Sequence, residues 1–413
     1  MSRRQQTIAG IDLGSSTIRI AVGEIRPEGD LHIIGLGEGP SDGINKGVIT
    51  SIEDTVSSIS ACVEQVERMT GRSIENAYVG VSGTHIISQE SRGVVAISRA
   101  DGEIKQDDVT RVLEAAKAVA TPPNYEIIHI LPRSFSVDNQ VGIIDPLGMT
   151  GVRLEVEAQI ILGLSNQIKN LGKCFFRVGM GINEMVFSIL STAESVLDKR
   201  QKELGVLVVN IGSSTTSFAV LEEGDVLTAK VLPIGARHIT NDIAIGLRIP
   251  VDLAEKVKVN YGTSLLEKAG KNKLINFKDL SEKERGTASQ KQVAKIIEAR
   301  CEEIFKMVDK ELARVDRSGK LPAGAVLTGA GAKLDGLVET AKKIFKIPAS
   351  LGLPQGFVSG INKAFDPSFS TAVGLVLWGQ RPVGLRTTLP SLFKIDSRIK
   401  KGIKNIFKNI LPY

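Results

Sequence analysis

The stretch GIDLGSST at residues 10–17 is nearly repeated as VNIGSSTT at residues 209–216. In each copy an apolar strand ends in Gly-Ser-Ser-Thr, but the first copy carries Asp12 where the second carries Asn210. Two further strand-like segments and a helical segment follow each copy. This arrangement predicts an α/β fold with an internal duplication, in which each half is a βββα unit with its sheet covered by helices.

Length and composition indicate a protein of two or more domains. The chain has 413 residues, of which 42% are hydrophobic and 24% are charged, as in ordinary soluble globular proteins. No apolar run is long enough to span a bilayer, and the N-terminal sequence has no apolar segment typical of a secretory signal. The three cysteines lack metal-like spacing, which favours a reducing compartment such as the cytoplasm.

The net charge of +6 is concentrated near the C-terminus. Residues 392–413 carry a net charge of +5 and residues 381–391 contain two arginines, so residues 1–380 carry a net charge of −1. Nucleic-acid-binding domains usually have a basic patch with aromatic side chains on the folded body, and aromatic residues are only 4% of this chain. We therefore expect no nucleic-acid partner.

The repeated turns have the composition of phosphate-binding loops. A glycine at the end of a strand lets a ligand approach the backbone, and successive N–H groups in a turn of small residues form an anion-binding concavity. Serine and threonine hydroxyls add donors to phosphate oxygens. Two such turns, one from each half, can hold one polyphosphate from opposite sides. The candidate residues are Gly14, Ser15, Ser16 and Thr17 in the first turn, and Gly212, Ser213, Ser214 and Thr215 in the second.

A third stretch of small residues is VLTGAGAKLDGL at residues 326–337. It predicts a buried strand that ends at Thr328, followed by a helix. The small residues Gly329, Ala330 and Gly331 suit a close approach of the backbone to a nucleoside.

A different pattern lies between the two halves. Residues 82–162 predict a strand, a helix and two long strands joined by a turn rich in proline and glycine. We therefore expect a compact strand–helix–strand–strand module inserted into the first half.

The three turns, in this order, resemble the phosphate-1, phosphate-2 and adenosine motifs of the superfamily of actin, heat-shock chaperones and sugar kinases. Within that superfamily, essentially the whole chain resembles the FtsA family of bacterial cell-division proteins. The resemblance rests on the inserted module and on five stretches: DGINKGVI (42–49), IIDPLGMTGVRLEVEAQII (143–161), LPIGARHITNDIAIGL (232–247), IIEARCEEIF (296–305) and DPSFSTAVGLVLWG (366–379).

The resemblance implies an actin-like architecture of duplicated βββα domains around a nucleotide cleft. The inserted module would be a subdomain that contributes to polymer contacts. The implied segments are 1–81 and 163–204 for the first half, with 363–380 packing back onto it; 82–162 for the insertion; 205–240 and 320–362 for the second half; 241–319 for its small subdomain; 381–391 for a linker; and 392–413 for a membrane-targeting helix.

The resemblance also implies a function. Members of the family bind ATP with Mg²⁺, polymerise at the cytoplasmic side of the inner membrane, anchor the ring of the tubulin-like protein FtsZ at the division site, and recruit later division proteins. Arg300 would contact the acidic C-terminal tail of FtsZ, and the alternative is an ordinary solvated charge on a helix. The protein would be at most a slow ATPase.

Four residues receive candidate roles in the cleft from this resemblance. Asp12 would hold Mg²⁺ through a water, and Glu184, expected at the start of the connecting helix, would position the attacking water. Glu255 and Lys258 would contact the ribose and the base. The alternatives are a helix-dipole interaction for Glu184 and a surface salt bridge between Glu255 and Lys258.

Asn210 departs from the pattern of the superfamily, which has aspartate there and favours glycine at positions 213 and 214. An asparagine can still accept a hydrogen bond from a metal-bound water, but it lacks a negative charge beside the cation. We therefore expect ATP to be bound and hydrolysed very slowly or not at all, so that nucleotide chiefly locks the two halves for polymerisation. Asn210→Asp is expected to raise hydrolysis if the remaining geometry is intact.

The C-terminal stretch LFKIDSRIKKGIKNIFKNILPY, residues 392–413, has helical periodicity. A basic amphipathic helix after a proline-containing linker is typical of an anchor on an anionic membrane surface, and a helix packed in the body is the alternative. The apolar stripe includes Ile395, Ile399, Ile403, Ile406 and Ile410 and is widened by Phe407, and most lysines of the segment fall on the opposite side. The lysines expected to contact the membrane are Lys400, Lys401, Lys404 and Lys408.

Other members of the superfamily fit less well. The type IV pilus protein PilM shares the insertion and is the main alternative, although we would not expect the basic amphipathic tail in it. A sugar kinase would need a substrate domain and a general base between the motifs, and a chaperone would need a large substrate-binding region.

Overall fold

The computed structural model describes residues 7–270 and 273–381. The first half begins with three antiparallel strands and a helix, and the next strand returns parallel to the first one. These elements are β1 (Thr7–Leu13), β2 (Thr17–Ile25), β3 (Leu31–Pro40), the short pair β4 (Ile44–Asn45) and β5 (Val48–Ile49), α1 (Ile52–Thr70) and β6 (Asn76–Val81).

Helix α1 forms because its apolar residues recur at helical spacing. Ile59, Val63 and Val66 are buried, as the periodicity predicts. The helix is capped at its N-terminus by Ser51. The hydroxyl of Ser51 accepts a hydrogen bond from the backbone N–H of Asp54 at 3.3 Å.

The inserted segment builds its own sheet. Its elements are β7 (Ile86–Ala96), α2 (Gln106–Ala120), β8 (Tyr125–Val137), β9 (Gln140–Ile143) and β10 (Arg153–Leu164), and the antiparallel sheet has the order β7-β10-β8-β9. Val112 of α2 packs with Leu154 and Val156 of β10 in a core separate from the two larger ones. The short strand β9 was not predicted, and the other four elements were.

The chain then returns to the first half and enters the second. Three helices and one strand make the return: α3 (Ser165–Val178), β11 (Gly181–Phe187), α4 (Ser188–Val196) and α5 (Lys199–Leu204). The second half contains β12 (Val206–Ile211), β13 (Thr216–Glu222), β14 (Asp225–Leu232), α6 (Ala236–Leu247), α7 (Val251–Tyr261), β15 (Leu274–Asn276), β16 (Thr287–Ser289), α8 (Gln290–Arg314), β17 (Ala325–Thr328), α9 (Leu337–Phe345) and β18 (Ala349–Leu351). The last described helix, α10 (Ser370–Gln380), packs back onto the first half.

The two large sheets repeat one plan. The first has the order β11-β6-β1-β2-β3 and the second has the order β18-β17-β12-β13-β14. In each, three antiparallel strands are extended by two strands parallel to the first. The predicted duplication is therefore confirmed. The hairpin β15–β16 lies in a polar, lysine-rich connection for which no strands were predicted.

Helix α10 joins the two halves at their base. It packs against α4 and β1, and a Cβ atom on Gly374 would collide with the backbone carbonyl of Ser191 in α4. At its C-terminal end the Trp378 indole N–H donates to Glu184 at 3.0 Å. Arg381 lies over the Trp378 ring, 5.1 Å from its centroid, and pairs with Glu194.

The predicted membrane-targeting helix 392–413, and the predicted linker after Arg381, lie outside the described residues. Within the described ranges, no helix is both long and apolar enough to cross a bilayer.

Candidate nucleotide-binding cleft

The carboxyl ends of parallel strands from both halves face a common cleft. β1, β6 and β11 are parallel to one another, as are β12 and β17. Ligands in α/β folds commonly bind at such strand ends. The residues at or just after the ends of these strands include Asp12, Ser82, Ser188, Asn210 and Gly329, and all five line a cleft of about 1040 Å³.

The structure brings the predicted nucleotide-binding residues together in this cleft. The lining includes the first turn, the second turn and the adenosine-type turn, although these are far apart in the sequence. The predicted residues that line it are Asp12, Gly14, Ser15, Ser16, Thr17, Asn210, Gly212, Ser213, Ser214, Thr215, Glu255, Lys258, Gly329, Ala330 and Gly331.

The two repeated turns have the same backbone arrangement. A Cβ atom on Gly14 would lie 2.6 Å from the carbonyl oxygen of Thr17, and one on Gly212 would lie 3.0 Å from that of Thr215. Any larger residue would therefore push the turn open. The N-terminus of α6 follows the second turn closely, since the N–H of Arg237 donates to the carbonyl of Ser213 at 2.8 Å.

Asp12 is the carboxylate at the first turn that could hold a cation. Burial raises the pKa of Asp12 to about 6, and the positive charge of Arg19, its cross-strand neighbour, opposes that rise. The group is therefore mostly ionised at neutral pH. Mg²⁺ is usually bound through one or two carboxylates, phosphate oxygens and several waters. One buried carboxylate at a polyphosphate turn fits that requirement.

Glu184 is not where the sequence placed it. It was expected at the start of a helix, but it lies in β11, and α4 begins only at Ser188. Its buried side chain accepts the hydrogen bond from Trp378, and it is not part of the cleft lining. The water-positioning role proposed for Glu184 does not fit this geometry.

Ser188 occupies the place expected for such a residue. Its side chain is buried and lines the cleft, and its Oγ has no hydrogen-bond partner among the described residues. A Cβ atom built on Gly80 would lie 2.8 Å from Ser188 Oγ and 3.6 Å from Asp12 Oδ1. The missing side chain at position 80 thus leaves a space that both polar groups border. The sequence feature that could have identified Ser188 is its position directly after the buried strand β11.

Four cationic side chains of the cleft were also missed. Two of them are paired with carboxylates, Lys333 with Asp366 and Lys363 with Glu38; the other two are arginines. Arg19 lies on β2, and its buried Nε has no hydrogen-bond partner in the part of the chain that the structure describes; its nearest carboxylate is that of Glu38 at 3.7 Å. Arg237, on the first turn of α6, is exposed in the cleft. Neither side chain follows a recognisable motif, so no pattern in the sequence pointed to them.

Glu255 and Lys258 form the salt bridge that was one of the two interpretations, and they also lie in the cleft, as the other interpretation requires. Lys258 Nζ pairs with Glu255 Oε2 at 2.7 Å and donates to Thr240 Oγ1 at 2.8 Å. Both side chains nevertheless line the cleft, so a salt bridge between neighbours on α7 forms part of its wall.

Arg300 is already engaged within the protein. Its guanidinium pairs with Asp242 through two bonds of 2.5 and 2.9 Å and also pairs with Glu303. The hydrogen bond to Asp242 raises the pKa of Arg300 further. An acidic ligand at Arg300 would therefore compete with two carboxylates of the protein itself.

The duplicated halves and the cleft between them define an actin-like protein, and solved structures agree. The PilM–PilN type IV pilus biogenesis complex matches with a TM-score of 0.68 at 15% identity, over 91% of this chain and 99% of that chain. MreB5 of Spiroplasma citri bound to ADP matches with a TM-score of 0.55 at 14% identity, over 97% of this chain and 99% of that one.

Sequence comparisons identify the family. Residues 83–162 match the family described as SHS2 domain inserted in FTSA, and residues 207–374 match the family cell division protein FtsA. The chain is 39% identical to cell division protein FtsA of Pseudomonas aeruginosa over 90% of this chain and 89% of the relative. It is 37% identical to that of Bacillus subtilis, over 90% and 83%. The chain belongs to the FtsA family of cell division proteins.

Proposed function

We propose that this protein binds ATP with Mg²⁺, polymerises on the cytoplasmic side of the inner membrane at the division site, and anchors the FtsZ ring there. The observation that carries the proposal is the convergence of both phosphate-type turns and the adenosine-type turn on one cleft between two duplicated halves. A ligand held by both halves would fix their relative orientation, which is what a subunit needs in order to present matching surfaces in a filament.

The membrane part of the proposal is supported by the sequence of residues 392–413 and by the membership of the family. The apolar stripe and the lysines of that segment suit an anionic lipid surface. FtsZ, further copies of this chain and later division proteins are the proposed protein partners. Because Arg300 is engaged by Asp242 and Glu303, we propose it only as part of a docking region for the FtsZ tail.

One experiment tests the proposal as a whole. The purified chain is applied to a monolayer of anionic lipid with Mg²⁺ and ATP, with or without a peptide of the FtsZ C-terminal tail, and is imaged by electron microscopy. The expected result is filaments on the lipid that need ATP, and retention of the tail peptide. Absence of filaments together with failure to bind ATP in calorimetry would disprove the proposed function.

Ser188→Ala is expected to weaken the contribution of Mg²⁺ to ATP binding. The lost hydroxyl borders the same space as Asp12, so a metal-bound water would lose one hydrogen bond. The gain in ATP affinity on adding Mg²⁺ should fall roughly threefold to tenfold, the loss expected for one hydrogen bond. A fluorescent ATP analogue titrated with and without Mg²⁺ measures this gain directly.

Ser195→Ala is the matched control. Ser195 is a buried serine on the same helix whose hydroxyl donates to the carbonyl of Ser370 at 2.7 Å, away from the cleft lining. The Ser195→Ala variant should show the same gain in ATP affinity on adding Mg²⁺ as the wild type. An equal loss in both variants would assign the effect to the packing of α4 and not to Ser188 Oγ.

A further inference from the structure

Three polar side chains at the base of the cleft form a hydrogen-bonded chain. The amide Nδ2 of Asn210, in β12, donates to Thr371 Oγ1 at 3.1 Å and lies 3.4 Å from Thr192 Oγ1. The hydroxyls of Thr371, in α10, and Thr192, in α4, are 2.9 Å apart. Thr192 Oγ1 also donates to the backbone carbonyl of Ser188 at 2.8 Å. Both threonines are buried.

The direction of this chain follows from counting hydrogens. Each hydroxyl has a single hydrogen to donate. Thr192 gives its hydrogen to the carbonyl of Ser188, so the hydrogen between the two threonines comes from Thr371. Thr371 can then only accept at position 210, and the residue there must be a donor. Asparagine supplies that donor through its amide, whereas an ionised aspartate has only acceptors.

We propose that Asn210 is a positioning residue that starts a one-way relay, Asn210 to Thr371 to Thr192 to the carbonyl of Ser188. The relay ties β12 of the second half to α10 and to α4, which pack on the first sheet. It also fixes the orientation of the amide, leaving Oδ1 beside Gly329 at the cleft. A Cβ atom at position 329 would collide with that oxygen.

The relay accounts for asparagine in this chain independently of any nucleotide. In the Asn210→Asp variant, Thr371 would have to turn its hydrogen toward the new carboxylate. Either the two threonine oxygens would then face each other without a hydrogen between them, or Thr192 would turn its hydrogen to Thr371 and lose its bond to the carbonyl of Ser188; one hydrogen bond is lost in both cases. Protonation of that carboxyl would restore a donor at position 210. The cost of Asn210→Asp must therefore depend on pH, with stability lost as pH rises because the folded state raises the pKa of the new carboxyl.

Among the described residues, no titratable group flanks position 210 on the strands beside it. Ser217 of β13 and Thr328 of β17 are its partners in the sheet, and Thr371 and Thr192 cover it from the helices. The charged side chains that line the cleft are Asp12, Arg19, Glu38, Arg237, Asp252, Glu255, Lys258, Lys333, Asp335, Lys363 and Asp366. Repulsion between Asp12 and the carboxylate introduced by Asn210→Asp would also vary with pH. The test therefore includes a double-mutant cycle of neutral variants, in which no charge is introduced.

The experiment measures thermal unfolding of the full chain without nucleotide. Wild type and Asn210→Asp are compared from pH 5 to pH 8, and the neutral variants Asn210→Ala and Thr371→Val are measured singly and together at pH 8. The relay predicts that Asn210→Asp unfolds several degrees below wild type at pH 8 and that the gap narrows toward pH 5. It also predicts that the double neutral variant loses clearly less than the two single losses combined, because both remove the same bond.

Two results would overturn the proposal. The first is additive losses in the neutral cycle, which would mean that Asn210 and Thr371 do not interact. The second is a deficit of Asn210→Asp that stays constant from pH 5 to pH 8, which would mean that the donor at position 210 has no role. An Asn210→Asp protein that is as stable as wild type at pH 8 would lead to the same conclusion.

Discussion

Removal of residues 392–413 is expected to release the protein from anionic membranes. The segment accounts for +5 of the chain's net charge of +6. Each basic side chain near an anionic surface contributes about 1 kcal/mol, to which buried apolar side chains add. Polymerisation multiplies the effect, because many tails bind one surface together. Co-sedimentation with vesicles that contain an anionic phospholipid should fall from most of the protein to background. Unchanged co-sedimentation of the truncated chain would refute the anchor.

A point substitution should have nearly the same effect if the segment binds as an amphipathic helix. Ile403→Glu places a charge in the apolar stripe and is expected to abolish most vesicle binding. Asn405→Glu makes the same change in charge on the lysine-bearing side, where it should cost only the electrostatic part of the affinity. Equal losses in the two variants would show that net charge, and not an apolar face, determines binding.

Gly329→Asp is expected to abolish ATP binding and filament formation together. Gly329 has a φ angle of 88°, which residues other than glycine rarely adopt. A Cβ atom there would lie 2.7 Å from the carbonyl oxygen of Ile211 and would collide with Asn210 Oδ1. The aspartate would also add a negative charge to the nucleotide site. Isothermal titration calorimetry with Mg²⁺ and ATP measures the loss directly.

Gly360→Asp controls for the charge and for the change of residue type. Gly360 is exposed, and a Cβ atom there would meet nothing within 4 Å. This variant should bind ATP as the wild type does. Circular dichroism separates a local effect of Gly329→Asp from unfolding. A folded Gly329→Asp protein with wild-type affinity would place the nucleotide site elsewhere.

The cleft could be predicted from the sequence because its chemistry is local. The Gly-Ser-Ser-Thr turns and the Gly-Ala-Gly turn follow buried strands, and parallel strands of a duplicated sheet bring such ends together. Helix α1 could be predicted for the same reason, since its apolar periodicity lies within one segment. The order of the three turns pointed to a known superfamily, and the resemblance to one of its families identified the insertion.

Residues whose positions depend on distant contacts could not be predicted in this way. Glu184 lies in a strand that ends only at Phe187, and its partner Trp378 is 194 residues away in the sequence. The role proposed for Ser188 depends on a missing side chain at Gly80 in a neighbouring strand. Asn210 was interpreted through its missing charge, because nothing in the sequence indicates that Thr371 and Thr192 lie beside it.

Helix α10 connects the last described residue, Arg381, to the base of the cleft. Arg381 is held by Glu194 and by the Trp378 ring at the end of α10, and the same helix holds Thr371 at the base of the cleft. Trp378 and Thr371 are seven residues apart on this helix, about 10 Å along its axis. If the C-terminal segment binds a membrane as proposed, tension on it would reach α10 at Arg381 and Trp378, and the same helix carries Thr371 at the base of the candidate nucleotide cleft.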